Sequence, residues 1–389
     1  MREVAVVGVG QTKFGELWDR SFREIGIEAG LHALIDAKLS SADLGALFLG
    51  NMASGTLVAQ EHIAPLIADY AGLAGRHLPA VRVEGGGASG ALALHQGYLA
   101  VASGVYDYVV VGGAEKLTDV PDAIATQITA STADHEWEVV FGATLPALWG
   151  LVARRHMHLY GTTREDLARV SVHAHEMGAK NPNAHFRNRL TLEQVLGSPP
   201  IAEPLGVLDC APFSDGAAAV VLGPLEEARR HTDTPIRIAA SVVACDTMAL
   251  QHRKELTSVG ATVDAARQAF ARARRAPADV RVAEIHDAYS ICALVGLEDL
   301  GFVERGRSGP EFASGRFGPG GTPTVNPSGG TKAQGRPFGA VGVAQVVELV
   351  RQLRGEAKDR QVAGATLGLA HDLGGTGATS VVHLLERAN

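Results

Sequence analysis

Several ionisable side chains lie just beyond the ends of predicted strands, where they could carry a proton or stabilise a negative charge. His286 and Asp287 follow the predicted strand 280–285. His371 follows the apolar run 367–370, immediately before a glycine-rich turn. Ligands of α/β proteins gather at the carboxyl ends of strands, so these positions favour a functional site. Because histidine titrates near neutral pH, His371 is a candidate general base.

Tyr289 and Arg336 are two further side chains whose types could take part in chemistry. A phenol such as Tyr289 can carry a proton when its pKa is tuned by its surroundings. Arg336 stays protonated, so it cannot act as a base but can neutralise a developing oxyanion. The simpler alternatives are a packed aromatic side chain for Tyr289 and an ion pair between Arg336 and Asp287.

The sequence argues against a bound metal ion. The chain has three cysteines, Cys210, Cys245 and Cys292, and none of the Cys/His spacings that are typical of zinc. We expect all three cysteines to be small buried side chains. His175 and Glu176 begin like a metalloprotease helix, but no second histidine completes the pair.

The composition excludes several classes of protein. The chain has 389 residues, 46% of them apolar, with a formal net charge of −7. These values are typical of a globular protein with a large core and two or three domains. The acidic balance argues against nucleic acid as a partner, because phosphate binding requires a clustered basic surface. The few cysteines favour the cytoplasm, and no apolar run is long enough to cross a membrane.

The elements that position the candidate side chains occur twice. A helix over 22–38 leads through a turn to a strand over 44–49, and a helix over 259–273 leads in the same way to the strand over 280–285. This repeat indicates an internal duplication. The continuous apolar run 4–9 predicts a buried parallel strand.

The duplication continues around two glycine clusters. Residues 81–84 lead into Gly85–Gly90 and a helix, and residues 324–327 lead into Ser328–Gly330 and another helix. A repeated strand, glycine turn and helix predicts a layered α/β fold. We place the N-terminal half at 1–116 with about 205–230, an inserted loop domain at 117–204, and the C-terminal half at 236–389.

Seven short motifs, in order along the chain, resemble those of the thiolase superfamily, within it the branch of sterol-carrier-type and archaeal acetoacetyl-CoA thiolases. The resemblance implies a thiolase fold, with two pseudo-symmetric halves in an αβαβα five-layer arrangement and an inserted loop domain. It spans essentially the whole chain. The motifs are Val7-Gly8-Val9-Gly10-Gln11-Thr12, Ala88-Ser89-Gly90, Gly112-Gly113-Ala114-Glu115, Ser214-Asp215-Gly216-Ala217-Ala218, His286-Asp287, Asn326-Pro327-Ser328-Gly329-Gly330 and Gly374-Gly375-Thr376-Gly377.

The residues that carry thiolase chemistry differ from this pattern. Gly87 stands where the resemblance implies the nucleophilic cysteine, and Arg336 stands where it implies the histidine of Gly-His-Pro. Tyr289 ends the sequence His-Asp-Ala-Tyr, where this branch has His-Asp-Cys-Phe. His371 matches the position at which this branch often replaces the classical catalytic cysteine.

The resemblance therefore implies chemistry on acyl-CoA thioesters without a cysteine nucleophile. It favours retro-aldol cleavage of a β-hydroxyacyl-CoA, as in the cysteine-less thiolase-like aldolases that shorten steroid side chains. Acetyl-CoA acetyltransferase activity and a non-catalytic acyl-CoA-binding subunit remain as alternatives. The implied catalytic residues are Tyr289, His371, His286 and Arg336, and the implied substrate-binding residues are Gly87, Ser89, Asp287, Asn326, Gly330 and Gly374.

The resemblance also implies the partners. The CoA ester is the substrate, and we expect no cofactor or metal bound by the chain itself. Thiolases normally form dimers, so a homodimer is expected. Members of this branch commonly pair with a small protein that has an OB fold and a zinc ribbon. We expect such a partner here, and neither nucleic acid nor a membrane.

Overall fold

The computed structural model describes residues 2–388. The strands are β1 (Val4–Gln11), β2 (Leu44–Gly50), β3 (Ala80–Val83), β4 (Tyr108–Glu115), β5 (Pro200–Ala202), β6 (Leu205–Gly206), β7 (Gly216–Pro224), β8 (Ile236–Cys245), β9 (Val282–Ile285), β10 (Thr324–Val325), β11 (Leu367–Gly374) and β12 (Thr379–Arg387). The helices are α1 (Phe22–Ala37), α2 (Ser54–Leu57), α3 (Ile63–Tyr70), α4 (Ser89–Ala102), α5 (Asp122–Ala130), α6 (Leu145–Tyr160), α7 (Arg164–Gly178), α8 (Leu192–Leu196), α9 (Gly260–Ala273), α10 (Ser290–Asp299), α11 (Ser308–Ala313), α12 (Gly330–Gln334) and α13 (Phe338–Arg354).

Ten strands form one sheet whose two halves repeat the same topology. The strand order is β10-β9-β11-β12-β8-β1-β7-β4-β2-β3. In each half the outer three strands are parallel, and the next two join antiparallel. The two halves meet where β1 pairs with β8 over a short antiparallel register. The duplication expected from the sequence is therefore present in the strand pairing.

The layers around the sheet are those of the expected fold. α4 and α13 pack on one another and bury apolar side chains against strands of both halves, forming the inner helical layer. α1 and α3 cover the outer face of the N-terminal half, and α9 and α10 cover that of the C-terminal half. The five-layer arrangement is confirmed, whereas the domain limits given above stay predictions.

The first strand shows where the sequence pattern was misleading. β1 is completely buried, as its continuous apolar run predicts. It is nevertheless antiparallel to both neighbours, β7 and β8, so the expected parallel pairing is wrong. A continuous apolar run indicates only that both faces of a strand are buried, and it does not indicate the direction of the neighbouring strands. Here α1 covers one face of β1, and the inner helices α4 and α13 cover the other.

The cysteines and the charged clusters also bear on function. Cys292 is buried, Cys210 is partly buried and Cys245, at the end of β8, is exposed, so the expectation that all three are buried is wrong.

Within residues 2–388, no group of three or more histidine, cysteine or acidic side chains is placed to hold a metal ion. No helix among these residues combines the length and the apolarity that a membrane crossing requires.

Candidate active site

Tyr289 and Arg336 meet in the interior, although 47 positions separate them. Tyr289 precedes α10, and Arg336 lies in the short link between α12 and α13. Arg336 Nη1 donates a hydrogen bond to the Tyr289 hydroxyl over 3.4 Å. The guanidinium carbon lies 4.2 Å from the centre of the Phe338 ring and 5.4 Å from that of Tyr289. A cation over two aromatic faces is held in a fixed orientation.

The positive charge of Arg336 has no carboxylate partner among the described residues. Arg336 is 4% exposed, and its Nη2 has no hydrogen-bond partner there. Asp287 does not pair with it, because Asp287 Oδ1 accepts hydrogen bonds of 2.6 Å from both the backbone nitrogen and the hydroxyl of Thr331. The alternative of an Arg336–Asp287 ion pair is therefore wrong. A buried cation without a counter-ion is poised for a negative charge in the substrate.

Gly87 lies beside this cation, in the turn that precedes α4. A Cβ atom built on Gly87 would lie 3.8 Å from Arg336 Nη2, and 2.7 Å from the carbonyl oxygen of Leu373. Real Cβ atoms essentially never approach an oxygen that closely, so no side chain fits at this position without movement of β11. The position offers a substrate its backbone and the start of a helix, but no nucleophile.

His286 faces an aspartate that the sequence analysis did not single out. Its Nδ1 lies 2.7 Å from Asp372 Oδ1, and its Nε2 has no partner among the described residues. Burial, reinforced by the nearby charge of Arg336, lowers the pKa of His286 to about 3. Burial also raises the pKa of the Asp372 carboxyl well above its usual value. Both side chains are therefore favoured in their neutral forms, with a proton in the hydrogen bond between His286 Nδ1 and Asp372 Oδ1.

His371 lies on the other face of β11. Neighbouring residues of a strand point to opposite faces, and Asp372 already points towards His286. The His371 Nε2 atom lies 3.1 Å from the hydroxyl of Thr262 in α9. Burial lowers the pKa of His371 to about 3, which leaves the ring neutral at ordinary pH. His371 does not line the cavity described below, so the structure does not bring it to Tyr289.

Two further predicted positions shape the turn around Gly87. The Ser89 hydroxyl donates to the carbonyl oxygen of Gly86 over 2.7 Å and accepts from the backbone nitrogen of Gly85, so both of its roles are used within the turn. Gly374 packs directly on this turn, since a Cβ there would lie 2.3 Å from the carbonyl oxygen of Gly85. Gly374 lines a cavity of about 350 Å³ together with Gly85 and Gly86 of the turn.

Asn326 and Gly330 hold the loop that carries Asp287. The Asn326 side chain accepts from the backbone nitrogen of Ile285 over 2.7 Å and donates to the carbonyl oxygen of the same residue. Gly330 has φ +57°, and a Cβ there would lie 2.1 Å from Asp287 Oδ2. Asn326 therefore fixes the end of β9, and Gly330 leaves room for the Asp287 carboxylate that follows the strand. Their predicted contact with substrate stays a prediction.

A cavity of about 440 Å³ is lined in part by residues of the predicted loop domain 117–204 and reaches Tyr289 and Arg336. Lys332, on α12, also lines it and was missed in the sequence analysis. A lysine in a polar, glycine-rich turn is ordinarily exposed, so the residue type alone did not indicate that Lys332 belongs to a buried site. The remaining lining is contributed by Glu16, Trp18, Thr118, Asp122, Thr126, Thr129, Pro146, His175, His185, Phe186, Ile201, Val207, Leu208, Cys210, Ala211, Pro212 and Phe213.

The protonation of the groups in this region limits the chemistry. Burial raises the pKa of Tyr289 to about 12, although the charge of Arg336 opposes the shift. Burial also raises the pKa of the Cys210 thiol to about 11 and that of Cys292 to about 12. A thiolate is the nucleophilic form of cysteine, so neither thiol is activated for attack. The arrangement is suited to proton transfer and oxyanion stabilisation.

Comparisons with known proteins agree with the fold. Residues 4–226 match the family model described as thiolase, N-terminal domain, and residues 242–387 match thiolase C-terminal domain-like. An acetyl-CoA acetyltransferase of Methanothermobacter thermautotrophicus is 53% identical over 387 residues and covers 100% of both chains. Sterol carrier protein 2 of Bos taurus is 33% identical and covers 97% of this chain and 71% of its own length.

Solved structures extend the similarity. A chain of the Ltp2-ChsH2(DUF35) aldolase superposes with a TM-score of 0.85 at 29% identity, covering 98% of this chain and 97% of its own. The human mitochondrial 3-ketoacyl-CoA thiolase superposes with a TM-score of 0.77 at 19% identity, covering 100% and 99%, which shows the fold alone. With both thiolase domains matched in order and a relative 53% identical along its full length, the chain belongs to the thiolase family.

Proposed function

We propose that the chain cleaves a carbon–carbon bond of β-hydroxyacyl-CoA esters by retro-aldol chemistry, without a covalent acyl-enzyme. The main support is the buried Arg336 guanidinium, which donates to Tyr289 and directs an unpartnered nitrogen towards Gly87. Such a site can stabilise a thioester enolate, whereas Gly87 supplies no nucleophile. The similarity to a solved aldolase gives further support. The CoA ester is the substrate, and the chain needs no cofactor of its own.

The proposed reaction has three steps. Tyr289, as the phenolate, accepts the proton of the β-hydroxyl, and the freed electron pair forms the carbonyl group of a departing ketone or aldehyde. The electron pair of the breaking bond between the α- and β-carbons moves into the thioester and forms an enolate. Arg336 and the start of α4 stabilise the enolate oxygen. The proton then passes from Tyr289 to the α-carbon, which gives the shorter acyl-CoA and restores the phenolate.

In this mechanism neither His286 nor His371 transfers a proton to or from the substrate. His286 and Asp372 lie beside Arg336, where the neutral His286–Asp372 pair avoids competing with the substrate for its charge. His371 packs between β11 and the outer helices and takes no part in proton transfer. Tyr289 and Arg336 are therefore the catalytic residues of this mechanism, whereas His286 and His371, which the resemblance implied as catalytic, are not.

The pH dependence follows from the raised pKa of Tyr289. Because burial raises this pKa to about 12, the phenolate is a very small fraction of the free enzyme at neutral pH. That fraction grows tenfold for each unit of pH below the pKa, so we expect log kcat/KM for retro-aldol cleavage to rise by about one per pH unit. Steady-state kinetics from about pH 7 to about pH 10 measure the slope. A plateau beginning near neutral pH would contradict a tyrosine base.

Gly87→Cys is expected not to create thiolase activity. The new Cβ would collide with the carbonyl oxygen of Leu373 at 2.7 Å, so the variant should lose roughly 1–3 kcal/mol of unfolding free energy. Denaturant unfolding and an assay of β-ketoacyl-CoA cleavage by free CoA measure both effects. The matched control is Gly30→Ala in α1, where a Cβ has open space and should be neutral or stabilising. A stable variant with rapid thiolysis would overturn the steric argument.

An acetyltransferase is the second candidate, because two archaeal relatives, 53% and 47% identical, carry that name. In this chain the transfer would have to pass directly between two CoA esters, or use Cys210, the cysteine that lines the cavity. Incubation with radiolabelled acetyl-CoA followed by peptide mapping separates the two functions. Label on Cys210, Cys292 or Ser89, or labelled acetoacetyl-CoA formed without any label on the protein, would favour the acetyltransferase, and retro-aldol cleavage predicts neither.

We also propose a homodimer and a small partner with an OB fold and a zinc ribbon. The edge strand β3 leaves Val81 47% exposed and open to pairing with a second copy. The short 3₁₀ helix Val139–Phe141 exposes Val140 by 60% and Phe141 by 80%, and Trp137, just before this helix, is 60% exposed. A cluster of exposed apolar side chains favours a protein interface. The solved relative is itself named for a complex with a DUF35 component.

A further inference from the structure

The cavity contains a second buried cation that the proposed reaction does not use. Lys332 is 2% exposed and donates through Nζ to the carbonyl oxygen of Asp209. Among the described residues it forms no ion pair, as is also true of Arg336. Burial of a charge without a counter-ion is unfavourable, so such a side chain is expected to have a ligand.

The two nearby carboxylates, those of Asp209 and Asp287, form no hydrogen bond or ion pair with Lys332. The Asp209 carboxylate forms a two-oxygen ion pair with Arg164, at 2.5 and 3.2 Å, and accepts from the Ser290 hydroxyl at 2.9 Å. Thr331 donates to Asp287 Oδ1, whereas Asp287 Oδ2 is buried and has no hydrogen-bond partner among the described residues, Lys332 included. Burial lowers the pKa of Lys332, and the charges of these two acids oppose that shift from a distance. Neither occupies the position of a counter-ion.

The charges that line the cavity are unequally distributed. Its two acidic side chains, Glu16 and Asp122, are exposed, whereas Lys332 and Arg336 are buried. Lys332 is also close to Tyr289. It donates to the carbonyl oxygen of Asp209, and the next residue, Cys210, pairs through its backbone with Tyr289. The thioester enolate uses the charge of Arg336, so the charge of Lys332 is available for another anionic group.

We infer that Lys332 binds a carboxylate on the acyl part of the substrate, so that the preferred esters carry a negative charge beyond the thioester. This rests on the proposed function, since that function assigns Arg336 to the enolate. A charge-assisted hydrogen bond inside a cavity is stronger than one between neutral groups. The same cavity would therefore discriminate against esters whose acyl chains are wholly apolar.

The test is equilibrium binding of unreactive esters to the full chain by calorimetry. The probes are succinyl-, glutaryl- and adipyl-CoA, each compared with the ester in which a primary amide replaces the terminal carboxylate. None carries a β-hydroxyl group, so none can undergo retro-aldol cleavage. We expect at least one carboxylate to bind about tenfold or more tightly than its amide. Lys332→Met should abolish this difference, and Lys358→Met, which removes an exposed lysine outside the cavity, should keep it.

Two results would overturn the inference. One is equal binding of carboxylate and amide at all three chain lengths by the unmodified protein, which decides the matter even if Lys332→Met fails to fold. The other is a preference for the carboxylate that survives in folded Lys332→Met. Because binding needs no turnover, either result leaves the retro-aldol proposal untouched. Conversely, a preference for the carboxylate in a chain that cleaves no β-hydroxyacyl-CoA would overturn the retro-aldol proposal alone.

Discussion

Tyr289→Phe is expected to lower kcat for release of the shorter acyl-CoA by about 10³-fold, with little change in stability. The substitution removes one hydroxyl, whose partner in the fold is Arg336 at 3.4 Å, and leaves the packed ring in place. General acid–base groups typically contribute 10²–10⁴-fold, roughly the range in which the loss should fall. Steady-state kinetics with a β-hydroxyacyl-CoA, together with thermal unfolding, measure the two effects.

The matched control for this variant is Tyr108→Phe. Tyr108 lies on β4, outside the cavity, and its hydroxyl donates to Glu227 over 2.7 Å. Loss of this hydroxyl should change stability and leave kcat unaltered. If Tyr289→Phe kept full activity, Tyr289 would be a packed aromatic side chain, which is the simpler alternative that the sequence left open.

Arg336→Met is expected to lower kcat/KM by about 10²–10³-fold, because the enolate oxygen loses the positive charge that the cavity supplies. It should also shift the rise of activity with pH to still higher pH. The charge of Arg336 lowers the pKa of Tyr289, so its loss lets that pKa rise further. A purely structural arginine would change stability without moving the pH profile.

Two comparisons make the arginine result specific. Arg336→Lys should restore little activity, because one ammonium cannot donate to Tyr289 and face Gly87 at the same time. Arg316→Met removes another cation stacked on a ring, Phe317 at 5.6 Å, outside the cavity, and should leave kcat/KM unchanged. Full activity of Arg336→Met would mean that backbone groups alone stabilise the enolate.

Local sequence signals were sufficient for most of the fold. The capping box of Ser21 and Glu24 sets the start of α1, and the helical spacing of Phe22, Ile25 and Ala29 gives its buried face. Such signals act over a few residues, so they can be recognised in the chain alone. The duplication was visible for the same reason, because each half repeats its own local pattern.

The parts that could not be predicted depend on contacts between distant residues. The direction of β1 is set by its pairing with β7, more than 200 positions later in the case of Ala5 and Gly223. Asp372 carries no motif of its own, and only the register of β11 beside β9 brings it to His286. The same register turns the neighbouring His371 to the other face. Lys332 was missed because burial, which makes it informative, is a tertiary property.

The most direct test of the central claim is cleavage of a β-hydroxyacyl-CoA in the absence of free CoA. The chain, alone and with the proposed small partner, is incubated with the ester, and the products are quantified by mass spectrometry. A retro-aldol reaction needs no second thiol, so the shorter acyl-CoA and the ketone or aldehyde should appear in equal amounts. Cleavage of the matching β-ketoacyl-CoA that requires added CoA, with no cleavage of the hydroxy ester, would contradict the account and establish a thiolase.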